Sequence, residues 1–100
     1  MTEPKPPEAC ESLAEIRAGI DRLDRQIVRL LAERGRYVVG AARFKRSAAE
    51  VQAPARVEQV VANVRRMAED EGAPPDVVER VYRTLIKALT ELEQQHWERP

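Results

Sequence analysis

One cysteine (Cys10) and one histidine (His96) are all that this chain of 100 residues holds of the side chains that build disulfides and zinc sites. An intrachain disulfide is excluded, an ordinary zinc site needs more ligands, and a lone cysteine fits a reduced compartment. Neither charge is in excess: seventeen Lys and Arg stand against seventeen Asp and Glu. The basic surface that holds nucleic acid or an anionic membrane is therefore missing. No apolar run approaches the roughly 20 residues that span a bilayer, and the opening Met1-Thr2-Glu3-Pro4-Lys5-Pro6-Pro7 has no apolar signal core. These absences predict a soluble, cytoplasmic protein with no metal and with neither nucleic acid nor membrane as partner. Familiar catalytic templates are absent too: one histidine rules out most triads, and there is no glycine-rich phosphate loop or recognisable acid pair. No segment alternates with period two, so strands are not expected.

What the chain does have is helical periodicity. Residues 1–11 carry three of the seven prolines and no pattern, which predicts a flexible tail. Ser12 is a fair N-cap for a single helical domain over 12–100. Leu13, Ile16, Ile20, Leu23, Ile27 and Leu30, then Arg34, then Tyr37, Ala41 and Phe44, recur in steps of three and four. The pattern predicts one long helix to about Arg46. It runs in phase through Gly19, Gly35 and Gly40, each of which costs about 1 kcal/mol relative to alanine. A second helix is expected from Pro54 to Gly72, with Val57, Val60, Val61, Val64 and Met67 on its apolar face. The third follows Pro74 and Pro75 and turns Val78, Val81, Tyr82, Leu85, Leu89 and Leu92 inward. The fold class is all-α with three helices.

Helix length bears on assembly. A helix of about 34 residues is a rod on the order of 50 Å, whereas a compact domain of this size has a radius of gyration of about 13 Å. The protruding apolar stripe needs a second chain to cover it, which predicts an intertwined homodimer.

One position breaks the stripe. Arg34 stands where an apolar residue belongs, and a guanidinium keeps its proton, so burying it requires an anion from a side chain or a ligand. Lys45, eleven residues on, is three helical turns away and points the same way, roughly 16 Å along the axis. Arg17 lies roughly 25 Å before Arg34 on the same helix, too far to share a pocket within one chain. An antiparallel partner would bring its own Arg17 there. Arg56, in the first turn of the second helix, sits where a helix N-terminus favours anions. Glu93, four residues after Leu89, borders the apolar face of the third helix, and burial there would favour a neutral, hydrogen-bond-donating carboxyl. Each has a plainer reading. Arg34 also fits an interface arginine paired to a carboxylate, while Lys45, Arg56 and Glu93 also fit solvated charges. Cys10 and His96 are assigned to structure or solvent. Geometry alone thus leaves an anion-binding helical dimer.

The residues also carry a resemblance. The runs Leu13-Ala14-Glu15-Ile16-Arg17, Ile20-Asp21-Arg22-Leu23-Asp24 and Leu30-Leu31-Ala32-Glu33-Arg34 resemble the first helix of the all-helical chorismate mutases. The likeness continues through Ala41-Ala42-Arg43-Phe44-Lys45 and Ala53-Pro54-Ala55-Arg56-Val57 to Tyr82 and Trp97. Within that superfamily the chain most resembles the isochorismate pyruvate lyases of salicylate and siderophore synthesis. The resemblance implies pericyclic chemistry on a small dicarboxylate with no cofactor: isochorismate to salicylate and pyruvate, with chorismate to prephenate as a secondary activity. It implies that Arg17 reaches into the partner's pocket and that Arg34 and Lys45 bind the substrate carboxylates, the lysine also near the ether oxygen. Arg56 would hold a carboxylate or order the loop, and Glu93 would face the ether oxygen. Two departures separate the chain from typical mutases, which place acids at the positions of Ala53 and Val57. At Glu93 both bacterial branches usually have glutamine. A chorismate mutase of aromatic amino acid synthesis and a non-catalytic helical dimerisation module are the alternatives.

Overall fold

The computed structural model describes residues 5–99; residues 1–4 of the expected tail, and Pro100 at the end of the expected domain, lie outside them. Three long helices carry the chain, α1 (Leu13–Ala41), α3 (Pro54–Glu71) and α4 (Pro75–Glu98). A short helix α2 (Ala48–Gln52) and single 3-10 turns at Pro7–Ala9 and Ala42–Phe44 complete it, with no strand among the described residues. The all-α expectation of three principal helices is met.

Local chemistry explains most boundaries. Helices α1 and α2 open on the same Ser-x-x-Glu box: Ser12 Oγ accepts from the Glu15 amide and Ser47 Oγ from the Glu50 amide, both at 3.2 Å. Each glutamate reaches back, Glu15 to the Glu11 amide at 3.3 Å and Glu50 to that of Arg46 at 2.6 Å. The Glu11 amide and the nearby Lys5 ammonium hold the Glu15 carboxyl below its ordinary range. Pro54 and Pro75 occupy first-turn positions of α3 and α4, where no amide is missed. Gly72 ends α3 at φ 72°, its amide donating to the carbonyls of Ala68 and Glu69.

Two boundaries differ from expectation. The first helix stops at Ala41 rather than near Arg46, tightens into the 3-10 turn and leaves Lys45 extended, at φ −91° and ψ 138°. The stretch between the first two expected helices, which carried no helical expectation, forms α2 with Ser47 as its N-cap. A second capping box begins at Ser47, and a new helix start cannot coincide with an unbroken α1. Between α2 and α3, Ala53 closes one helix and opens the next in the left-handed region, φ 41° and ψ 60°. That geometry is strained for a residue with a Cβ.

Tertiary contacts divide the chain into two units, Met1–Arg34 and Gly35–Pro100, with α1 running from one into the other. In the first unit, from Lys5 on, one helix is joined by the Pro7–Ala9 turn and by an ion pair from Lys5 Nζ to Glu15 Oε2 at 3.2 Å. No residue of 5–34 is buried. In the second unit α3 packs along α4, and α4 also meets α2 and the Ala42–Phe44 turn. Its core is made of small side chains: Ala42, Val51, Val61, Val64 and Ala68. Gly35 is buried too, with Leu89 3.6 Å from where a Cβ would stand. Val61 and Val64 face inward as expected, but Met67, Val81 and Leu92 are exposed.

Ion pairs tie α3 to α4 across their exposed edge. Arg83 bonds Glu58 at 2.9 and 3.0 Å and Glu79 at 2.7 Å, and Arg65 bonds Asp76 and Glu79 at 2.9 and 2.8 Å. Hydrogen bonds from Arg83 push the Glu58 and Glu79 carboxyls below the usual 4.5. Carboxyls so lowered contribute stability above their ordinary value and lose it as pH falls through the lowered one. Acidification below about pH 4.5 should therefore destabilise the parent more than Arg83→Met, as read from urea midpoints at neutral pH and at about pH 3. Equal acid losses in the two would refute a role for this network.

Candidate active site

The second unit brings together two of the charged residues that the sequence singles out. Because Lys45 leaves the 3-10 turn in extended backbone, its amide is satisfied by the Ala42 carbonyl at 3.1 Å while its side chain and carbonyl turn to other elements. Lys45 Nζ donates to Glu93 Oε2 and to the Glu50 carbonyl, each at 3.1 Å. The Lys45 carbonyl accepts from Trp97 Nε1 at 3.0 Å. Glu93 is only 4% exposed and is the one buried charged residue among those described. An unpaired carboxylate there would cost several kcal/mol, and the Lys45 ammonium supplies its partner. The lysine side chain keeps 24% of its surface. An ammonium has three protons to donate, and Glu93 and Glu50 take two, which leaves donor capacity for an anion.

The direction assigned to Lys45 by helical spacing from Arg34 does not hold, since the helix ends four residues before it. Its aim comes from the turn and from α4. Glu93, expected at the border of the apolar face, is buried, and its Oε2 accepts from Lys45 Nζ in an ion pair. Arg56 is exposed in the first turn of α3, and its Nη1 donates to Gln59 Oε1 at 2.6 Å. Arg17 and Arg34 belong to the first unit, Arg17 exposed and Arg34 half-buried. Ala53 is the strained junction described above, and Val57 is half-buried in α3.

Two further residues, Glu50 and Trp97, complete the surroundings of Lys45. The first contributes only a carbonyl, which no residue type announces. The second had a signal: it follows Glu93 by four residues and so shares its face of α4. A shallow cleft of about 410 Å³, lined by Gln52, Val57, Ile86 and Thr90 among others, runs on the same unit. Ile86 and Thr90 precede Glu93 by seven and three residues and stand on its side of α4. The volume is within the range of small-molecule sites. No group of three or more His, Cys, Asp or Glu among the described residues could hold a metal ion, and none of their helices is long and apolar enough to cross a membrane. Chemically, a half-buried ammonium held by two fixed acceptors suits the binding of an oxyanion or the stabilisation of charge developing on an ether oxygen.

Comparison with known proteins agrees with this chemistry. The family "Chorismate mutase type II" matches residues 16–94. An isochorismate pyruvate lyase of Pseudomonas aeruginosa is 39% identical over 93 residues, covering 93% of this chain and 92% of its own. A chorismate mutase of Methanocaldococcus jannaschii is 27% identical over 89 residues, 88% of this chain and 90% of its own. With a match that spans most of its length and includes Lys45, Arg56 and Glu93, the chain belongs to the chorismate mutase type II family and is a pericyclic enzyme.

Proposed function

We propose that the protein is an isochorismate pyruvate lyase, releasing salicylate and pyruvate from isochorismate in the cytoplasm for salicylate or siderophore synthesis, with chorismate mutase activity as a side reaction. The observation that carries this reading is the pair of apolar residues, Ala53 and Val57, where typical mutases place the acids that serve the chorismate ring hydroxyl. The similarity to the Pseudomonas lyase over nearly the whole chain supports it.

The reaction is pericyclic, so the protein needs no nucleophile. It has to bind both carboxylates, hold the reactive conformer and stabilise the negative charge that grows on the breaking ether oxygen. In this proposal Arg34, Arg56 and an Arg17 from a partner chain grip the carboxylates. Lys45 directs its remaining proton toward the ether oxygen, and Glu93 fixes the lysine from behind. Each 1.36 kcal/mol of stabilisation gained only in the transition state is worth about tenfold in rate.

The Arg17 contribution requires a homodimer. The surface of the first unit supports one: Leu13, Ile20, Leu23, Ile27 and Leu30 are each between 46% and 60% exposed. Covering that much aliphatic surface on two chains would contribute on the order of 10 kcal/mol, comparable to the lower estimates of the cost of association. A second copy presents the same stripe and is the simplest cover.

Three outcomes are expected. Purified protein should release salicylate from isochorismate, followed by its fluorescence, and Lys45→Ala should lower kcat/KM about a hundredfold or more while circular dichroism stays unchanged. No salicylate from the parent would overturn the lyase reading, and turnover of chorismate alone would assign a mutase. Light scattering at micromolar concentration should give twice the chain mass, and Ile27→Asp should give the single mass; a monomeric parent would remove the partner's Arg17 from the site. Glu93→Gln keeps an acceptor for Lys45 while removing the charge that competes with substrate carboxylates. Its kcat/KM at neutral pH should equal or exceed that of the parent, and a fall beyond tenfold would mean that the negative charge itself is needed.

A further inference from the structure

The last turns of α4 hold a single residue at two points. Glu93 accepts from the Lys45 ammonium, and Trp97, one helical turn later on the same face, donates its indole N–H to the Lys45 carbonyl. The two contacts join sequence positions 48 and 52 residues apart. Lys45 needs such support. It lies outside any helix, between the Ala42–Phe44 turn and the Ser47 cap, and its extended carbonyl has no helical ladder to join. The turn and α2 hold the amides of Lys45 and Arg46, through the Ala42 carbonyl and Glu50, but a grip by α4 on the ammonium alone would hold only the far end of a four-carbon stem. Holding the carbonyl as well fixes the origin from which the side chain is aimed.

We infer that Trp97 is a positioning residue for Lys45: its indole N–H sets the backbone orientation that keeps the Lys45 ammonium on its acceptors. The inference rests on the reaction proposed above for the site, but the clamp itself is defined by geometry and can be read without turnover. A preorganised donor is useful to the extent that it need not be reoriented during the reaction. One neutral hydrogen bond is worth a few-fold in population of the correct arrangement, so releasing it lowers turnover without abolishing it.

The chain has one tryptophan and only three lysines, Lys5, Lys45 and Lys87, which makes the test direct. The indole donor is removed in Trp97→Phe and, with packing better retained, by replacing the tryptophan with its benzothiophene isostere, which has sulfur in place of N–H. In both proteins Lys45 should react with an acetylating reagent about threefold or more faster than in the parent, as read by peptide mass spectrometry. The exposed Lys5 and Lys87 serve as unchanged internal references. With isochorismate or chorismate, kcat should fall about three- to tenfold with KM within twofold and the thermal midpoint nearly unchanged. Unaltered Lys45 reactivity in the isostere protein overturns the clamp, as does an unaltered kcat in that protein when the parent turns over substrate. If the parent acts on neither substrate, the proposed function fails by itself, and Lys45 reactivity alone then decides for or against the clamp.

Discussion

The contact between Lys45 and Glu93 is the constraint around which the second unit is arranged. A carboxylate 4% exposed needs a cation, and Lys45 supplies it where the chain leaves α1 at Ala41, turns through Ala42–Phe44 and runs extended. The Ser47 cap and α2 complete the arrangement, since the Glu50 carbonyl that α2 presents is the ammonium's other acceptor. Buried ion pairs of this kind contribute little net stability against an apolar replacement. What this one specifies is where a positive charge stands.

The fully buried apolar side chains described in the unit are small. The core consists of valine and alanine, side chains that bury limited area each, and the exposed edge between α3 and α4 is held by arginine networks around Glu58 and Glu79. Polar contacts with defined geometry therefore carry much of the specificity, from the paired Ser-x-x-Glu boxes to the three hydrogen bonds on Lys45 outside its own amide. The large aliphatic side chains of the first unit lie mostly outside any core. On the proposed dimer, the same stripe that lacks a partner within its unit would bring Arg17 to its place, so that assembly and site completion are one event.

The helices were legible because periodicity of three and four reports a buried or buryable face whatever covers it. Val61 and Val64 mark the buried face of α3, while the stripe from Leu13 to Leu30 marks a face of α1 that its own unit leaves largely exposed. The end of α1 was not legible: Tyr37, Ala41 and Phe44 continue the period, yet Phe44 is exposed and stands outside the helix. The capping box at Ser47 interrupts the period, and Lys45, left extended before it, meets α4 far away in sequence. For the same reason a direction for Lys45 extrapolated from an unbroken α1 does not hold, because the residue stands extended beyond the helix end. Glu93 was placed at the border of a face by spacing alone, which cannot say which charge will meet it. Trp97 was visible as a residue, but its use depends on where the Lys45 carbonyl points, and nothing in the sequence around Lys45 announces that.

The identity of the residue behind the lysine has a consequence for how binding energy is used. A neutral amide at Glu93 would leave the full charge of Lys45 to attract the carboxylates of a ground-state dianion, binding it and its transition state nearly equally. Such uniform binding lowers KM without speeding the chemical step. With a carboxylate at 3.1 Å, part of that ground-state attraction is cancelled. The hydrogen bond that the remaining ammonium proton makes to an oxygen gaining charge still strengthens along the reaction, because it is short-ranged and directed. Under the proposed chemistry, Glu93 then biases Lys45 away from holding the substrate and toward stabilising bond cleavage, provided the ammonium stays where the clamp on its backbone puts it.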